Sequence, residues 1–340
     1  MATPLRIIII IMLILIFLFI VAVFVVGQLL VSFSLKRHGY LADRFWQFES
    51  DDINTLEKGS PRYIIETNYQ EAMEQRNEWL ETAPSEALYM TSRDGLKLVG
   101  HIFPAKEPTH NWLVLVHGFR DIPVNILNYA TEYVKRGYNI FYMEHRAHGD
   151  SEGRYIGMAY PEHYDLLDWL DIICKRDPEA SIVLHGHSMG ASTIMMACGE
   201  TGFPSNVVCA IADCGFSSVK DEFKFNLKRM FHLPAFPFLY AANLVSIIET
   251  GLNFNDGDVI PYIKKSHTPT LFIHGDSDVF VPTDMVYKLY DAASCEKQLY
   301  VSIGAAHVDS RYIDPELYYS KVFDFIDKYR IPSHLSQIQE

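Results

Sequence analysis

Three patterns of hydrophobic and polar positions follow one another along the chain, and each predicts a different kind of element. From Ile7 to Leu35 no charged residue occurs, and Ile7 to Val26 is almost wholly Ile, Leu, Val, Phe, Met and Ala. A helix of about 20 such residues spans roughly 30 Å, the hydrocarbon thickness of a bilayer. A cleaved signal peptide has a shorter apolar core, about 7 to 15 residues, ending at a small-residue site. Only Val25-Val26-Gly27 resembles such a site here, so the pattern predicts an uncleaved single-pass transmembrane anchor over residues 1–35.

Residues 36–85 read as a polar, partly helical connector, with Tyr69 to Glu81 rich in Glu, Gln, Met and Leu. Its aromatics Phe45, Trp46, Phe48 and Trp79 indicate that parts of it pack on the main domain. The third pattern starts near Glu86 and runs to residue 330. Ala87 to Thr91 and Lys97 to Phe103 flank Ser92-Arg93-Asp94-Gly95, whose Asp-Gly signals a hairpin turn. Short apolar runs rich in β-branched and aromatic residues then recur at Trp112–His117, Asn139–Glu144, Ser181–His185, Val207–Asp213, Thr270–His274 and Gln298–Ile303. Segments of helical period separate most of them, among them Ile126–Arg136 and Pro161–Lys175. Such alternation predicts an α/β fold, a mostly parallel sheet covered on both faces. An insert at about 214–265 breaks it with Phe216, Phe223, Phe225, Phe231, Phe236, Phe238 and Tyr240, and with Pro234 and Pro237, which interrupt any long helix. It reads as a small helical cap over the carboxyl ends of the strands, though these aromatics also suit simple packing on the core. Residues 331–340 are a short C-terminal tail.

The formal net charge is −13 with the acids spread along the chain, which disfavours nucleic acid and anionic membrane surfaces as partners of the soluble part. The cysteines Cys174, Cys198, Cys209, Cys214 and Cys295 are odd in number and lack metal-ligand spacing. They imply neither a disulfide framework nor a metal site. Nothing in the sequence fixes the oligomeric state.

Candidate chemistry centres on Gly186-His187-Ser188-Met189-Gly190, directly after the run Ser181–His185 and before the apolar stretch that starts at Ala191. A serine hydroxyl is a weak nucleophile unless a sharp strand-to-helix turn presents it to a base. Flanking glycines let strand and helix approach closely enough for that turn. Downstream, Thr270–His274 leads into Gly275-Asp276-Ser277-Asp278, and Gln298–Ile303 leads into Gly304-Ala305-Ala306-His307. An acid and a histidine thus fall in loops after consecutive strands, where a parallel sheet gathers its site. Asp278 is the favoured acid, with Asp276 and Asp213 as alternatives, and His307 is the base. Two backbone N–H donors must face the developing oxyanion. Met189, just after the nucleophile, supplies one; Phe119, in the loop His117-Gly118-Phe119-Arg120, supplies the other. Arg120 itself suits a surface salt bridge or an acidic part of the substrate. The stretch Glu144 to Gly153 carries His145 and His148 without zinc-like spacing to further ligands and reads as a structured loop.

Together these motifs resemble the α/β-hydrolase superfamily from about Glu86 to Tyr329. Within it, the anchor and the Leu-Pro-Ala-Phe-Pro stretch resemble the membrane-anchored, prolyl-oligopeptidase-like and Bem46-type serine hydrolases. Relatives commonly have Asp where this chain has Glu144, which leaves the hydrogen bonding of that loop open. The resemblance implies an α/β-hydrolase fold with a catalytic triad, no metal and no organic cofactor. It also implies a small-molecule or lipid-like ester as substrate. It places the catalytic domain outside the cytoplasm, whereas Arg6 before the span against Lys36 and Arg37 after it lean slightly the other way. The leading expectation is a membrane-anchored, carboxylesterase-like serine hydrolase. A peptidase, thioesterase or acyltransferase on the same fold remains open, as does an inactive membrane-tethered binding protein.

Overall fold

The structure, a computed structural model, describes residues 2–38 and 52–330. Phe45, Trp46 and Phe48 of the connector and the tail at 331–340 lie outside the described residues. The N-terminal apolar run forms a single helix, α1 (Ala2–Ser34). Its stretch from Pro4 to Ser34 has a mean hydropathy of 3.8, long and apolar enough to cross a membrane. Residues 4–22 are exposed on every side, whereas Val23, Gly27, Val31, Phe33 and Leu35 are buried. One helix therefore has a bare part and a docked part.

The connector contains α2 (Pro61–Thr82), started by Ser60, whose hydroxyl accepts from the Tyr63 N–H at 3.2 Å, and by Pro61 at its first position. Trp79 packs on Phe103 with ring centroids 5.0 Å apart. Arg76 donates to Asn125 Oδ1 at 3.0 Å, so this segment lies against the domain rather than extending as a stalk.

Eight strands form one sheet: β1 (Glu86–Thr91), β2 (Lys97–Phe103), β3 (Asn111–Val116), β4 (Asn139–Met143), β5 (Ser181–His187), β6 (Val207–Asp213), β7 (Thr270–Gly275) and β8 (Lys297–Ser302). Their order is β1-β2-β4-β3-β5-β6-β7-β8. β2 pairs antiparallel with both β1 and β4, and all other pairs are parallel. β3 has β4 on one side and β5 on the other, so the strand order reverses there. Crevices at the carboxyl ends of such strands are where open α/β sheets place ligands.

Successive side chains of β3 point to opposite faces. Leu113 and Leu115 pack with Tyr133, Tyr318 and Phe325 on one face. Val114 and Val116 pack with Trp169 and Ile173 on the other. The flanking helices α3 (Tyr160–Arg176), α4 (Met189–Ala197), α7 (Asp284–Ala292) and α8 (Pro315–Tyr329) close both faces. The helix expected at Ile126–Arg136 is shorter: a 3-10 turn runs Pro123–Tyr129 and an α-helix only Ala130–Val134. Asn125 and Asn128 use their amides on Asp121 and Tyr312, and asparagine is a weak helix former.

Between β6 and β7 the insert holds two long helices, α5 (Val219–Phe231) and α6 (Ala235–Thr250), the second kinked at Phe236, and one short turn of helix at Ile260–Ile263. His232 in the left-handed region ends the first, and Gly251, also left-handed, ends the second. The docked part of α1 lies along α6. A Cβ at Gly27 would sit 2.9 Å from the Ala241 carbonyl carbon, so glycine permits this approach. Gln28 adds a hydrogen bond to Glu249 at 2.6 Å.

Candidate active site

Ser188 ends β5 and begins α4 with φ 53° and ψ −124°, a conformation that costs a non-glycine residue about 1–3 kcal/mol. Packing holds it there. A Cβ at Gly190 would lie 2.0 Å from the Val116 carbonyl oxygen, so only glycine lets α4 come this close to β3. The Ser188 N–H donates to the Asp213 carbonyl at 2.8 Å.

The hydroxyl meets a base and an acid. His307 Nε2 lies 2.9 Å from Ser188 Oγ, and His307 Nδ1 lies 2.7 Å from Asp278 Oδ2. Asp278 Oδ1 accepts from the backbone N–H groups of Phe280 and Val281 at 2.8 and 2.9 Å. Burial pushes the Asp278 carboxyl up, but His307 and His274 beside it outweigh that and hold it below the usual carboxylate range. An ionised Asp278 can only accept, so Nδ1 of His307 carries the proton and Nε2 presents a lone pair to the serine hydroxyl. That arrangement can accept a proton from Ser188 as the serine attacks a carbonyl.

The other acids considered serve different ends. Asp276 Oδ1 accepts from the Gly304 N–H at 2.7 Å and so ties the acid's loop to the histidine's loop. Asp213 is buried in the core, where it accepts from Tyr318 Oη at 2.9 Å, and burial raises its pKa. Cys214 approaches Asp278 and His307 closely enough to form a group of metal-ligand type, although the spacing of the cysteines gave no sign of it. Burial pushes the Cys214 thiol well up; a protonated thiol is a poor ligand.

Phe119 and Met189 both line the same pocket as Ser188. A Cβ at Gly118 would lie 2.9 Å from the His187 ring and 3.4 Å from Ser188 Cβ, so the loop after β3 lies against the elbow. Arg120 reaches the end of α1. Its guanidinium donates to the carbonyls of Phe33, Lys36 and Arg37 at the end of α1, while its backbone N–H donates to His148 Nε2 at 3.0 Å. Burial lowers the His148 pKa to about 4, which leaves the ring neutral and able to accept.

The loop Glu144–Gly153 is structural. Arg146 pairs with buried Asp165 at 2.8 Å and with Asp94 at 2.7 Å. Glu144 bonds His101 at 2.9 Å and accepts from the Asp150 N–H, so glutamate here links the loop to β2.

In front of Ser188 lies a pocket with about 770 Å³ of empty space, open solvent included, walled chiefly by apolar side chains of the cap, of the loop after β7 and of α1. Two polar residues in it escaped the sequence reading, Glu222 and Asn226, one turn apart on α5. Asn226 Nδ2 donates to Glu222 Oε1 at 2.6 Å and to the Phe280 carbonyl at 3.1 Å. Glu222 Oε2 and Asn226 Oδ1 are buried without a hydrogen-bond partner among the described residues. Burial, then the charge of Asp278, raises the Glu222 pKa well above the carboxylate range. The only signal in the sequence was a Glu and an Asn at i, i+4 in an aromatic-rich insert.

Residues 107–235 match the family model described as serine aminopeptidase, S33. Over 243 residues the chain is 26% identical to the protein YqkD of Bacillus subtilis (strain 168), covering 71% of this chain and 79% of that one. Over 170 residues it is 26% identical to lysophosphatidylserine lipase ABHD12 of Xenopus tropicalis, covering 48% of this chain but only 41% of that relative. The esterase Pf2001 of Pyrococcus furiosus superposes with a TM-score of 0.59 at 22% identity, covering 73% of this chain and 92% of the esterase. Sheet order and cap give the chain an α/β-hydrolase fold, similar to that of the esterase.

Proposed function

We propose that this protein is a membrane-anchored serine hydrolase that cleaves a carboxylic ester through an acyl-enzyme intermediate. The observation that carries the reading is the continuous hydrogen-bond line from Asp278 through His307 to Ser188, opening on an apolar pocket. Ser188 Oγ attacks the ester carbonyl carbon while His307 Nε2 takes its proton. Asp278 fixes the tautomer and stabilises the imidazolium that forms. The N–H groups of Phe119 and Met189 receive the tetrahedral oxyanion. Collapse breaks the bond to the alkoxy group, which leaves with the proton from His307. Water then adds to the acyl-enzyme by the same route in reverse and releases the acid. Each step moves a proton or an acyl group among these side chains and water, so the chemistry itself calls for no metal or organic cofactor.

The pocket and the similarity to a lysophosphatidylserine lipase support a small-molecule or lipid-like ester. The family description favours an aminopeptidase as second reading. Against it, Glu222 is the one acidic residue lining the pocket among the described residues, and burial raises its pKa, which disfavours an anion there for a peptide's ammonium group. Parallel assays with p-nitrophenyl esters, thioesters and amino-terminal peptide amides decide among esterase, thioesterase and peptidase; added alcohol acceptors reveal acyl transfer. Ester turnover that disappears in Ser188→Ala supports the proposal. A folded wild-type protein inert to every substrate supports a binding protein instead.

The anchor reading rests on residues 7–22, apolar and exposed on all sides. The hydrolase domain is assigned to the outer face by its resemblance to anchored relatives, and protease added to intact cells tests it by degrading the domain.

A further inference from the structure

Two surfaces outside the reacting groups remain unexplained by the hydrolase reading. The first is the inner wall of the pocket, to which α1 contributes Leu30, Val31, Phe33, Ser34 and Leu35. Phe33 meets Phe231 of α5 edge to face with centroids 5.4 Å apart. Arg120, next to the expected oxyanion donor Phe119, holds the carbonyl end of α1, and the Ile156 N–H donates to the Leu35 carbonyl at 2.7 Å. A helix that served only to tether the domain would need none of these contacts.

The second is the outer face of the cap. Phe236, Tyr240, Leu244 and Ile248 recur every fourth residue on α6, each between 44% and 75% exposed. They form an apolar row that no described residue covers. On α5, Lys220, Lys224 and Lys228 form an exposed row with the same spacing. Apolar and basic rows side by side suit the boundary between acyl chains and phosphate headgroups. The bare part of α1, residues 4–22, is roughly 28 Å long at the α-helical rise, close to one hydrocarbon thickness. The docked part begins where that length ends, so the pocket lies at the level of the membrane surface.

Polarity inside the pocket has the same direction. Glu222 and Asn226 lie at the end near Phe280, whose ring is 5.0 Å from that of His307. From Glu222 to Phe231 the pocket follows α5 for roughly 14 Å and becomes apolar but for Ser34 where it meets Phe33. Polar groups therefore surround the ester end, and hydrocarbon surrounds the far end.

Resting on the hydrolase reading above, we propose that the docked third of α1 is the far wall of an acyl-chain site and that the apolar row of α6 seats its mouth in the bilayer. The substrate is accordingly a long-chain acyl ester drawn from the membrane, not one captured from water.

The test uses the full chain in vesicles of phosphatidylcholine and phosphatidylglycerol. kcat/KM is compared for a dodecanoyl ester dissolved in the vesicles and for water-soluble p-nitrophenyl acetate. Phe236→Glu with Ile248→Glu lowers the ratio of the two at least about tenfold, because a charged row cannot enter the acyl boundary. An unchanged ratio overturns the proposal, as does a wild-type dimer that the two substitutions dissociate with the ratio intact. A dodecyl fluorophosphonate with a diazirine at the chain end, photolysed on the unmodified protein, is independent of variant folding. It is expected to label Ser188 and cross-link the peptide holding Leu30 to Leu35. Cross-links confined to other segments overturn the acyl site alone, whereas no label at Ser188 overturns the hydrolase reading and this one with it.

Discussion

The loops that end β5, β7 and β8 and the cap that faces them across the pocket are held by different forces. In the loops the bonds are directional: Asp278 accepts from two backbone N–H groups and from His307, and Asp276 ties Gly304. In the cap, α1, α5 and α6 meet mainly through apolar side chains such as Val31, Leu239 and Ala242, with Gln28 to Glu249 as a polar tie at the rim. Hydrogen bonds fix atoms well enough for proton transfer, which a misplacement of about 1 Å impairs roughly a hundredfold. Apolar contact excludes water and tolerates small shifts. On the proposed mechanism, the comparison teaches that rate is set in the loops, whereas the choice and capture of substrate are set in the cap.

Substitutions in the two regions break or sharpen that division. The largest effect is expected from Ser188→Ala, which lowers kcat for ester hydrolysis by about 10⁴-fold or more, read as p-nitrophenol release. Asp278→Asn keeps the shape but favours the wrong tautomer of His307, and kcat falls about 10³- to 10⁴-fold with an unchanged circular dichroism spectrum. In the cap, Gly27→Leu forces α1 away from Ala241 and costs about 1–3 kcal/mol. It is expected to lower Tm and to raise KM for long-chain esters more than it lowers kcat. A kcat loss in Gly27→Leu as deep as that in Asp278→Asn would end the division.

The smallest effect concerns Glu222. Its carboxyl has a folded pKa above the unfolded value, so the folded state holds a proton that the unfolded state has released. The stability this contributes is complete below about pH 4.5 and is lost as pH rises toward the raised folded value. Glu222→Gln removes that loss and flattens the fall of stability with rising pH by up to about 1.4 kcal/mol per pH unit. Thermal denaturation from pH 5 to 8 measures it, and parallel curves for the two proteins would show that Glu222 is not held neutral.

The sequence carries the sheet and the loops more clearly than the cap because local rules govern the former. β-branched runs predict the strands of the central sheet to within a residue or two at most ends. The turn at Ser188 needs glycines at fixed offsets, and Asp278 and His307 each follow a strand. What stayed hidden depends on distant partners. The carbonyls that Arg120 meets belong to a helix end more than eighty positions earlier, and nothing beside Arg120 announces them. The docking of α1 is masked by uniform hydrophobicity, which suits lipid and protein equally. Gly27 and Gln28 are the first to interrupt that uniformity after Ile7, and both mark the contact with α6. Glu222 resembles any exposed helical glutamate until the fold turns it inward.

The most direct test of the central claim is mass-spectrometric mapping of the full-length protein after reaction with a fluorophosphonate. The account predicts a single covalent adduct on Ser188 that is absent in Ser188→Ala and forms much more slowly in Asp278→Asn. A folded wild-type protein that forms no adduct, or a Ser188→Ala protein that labels as readily as wild type, would contradict it.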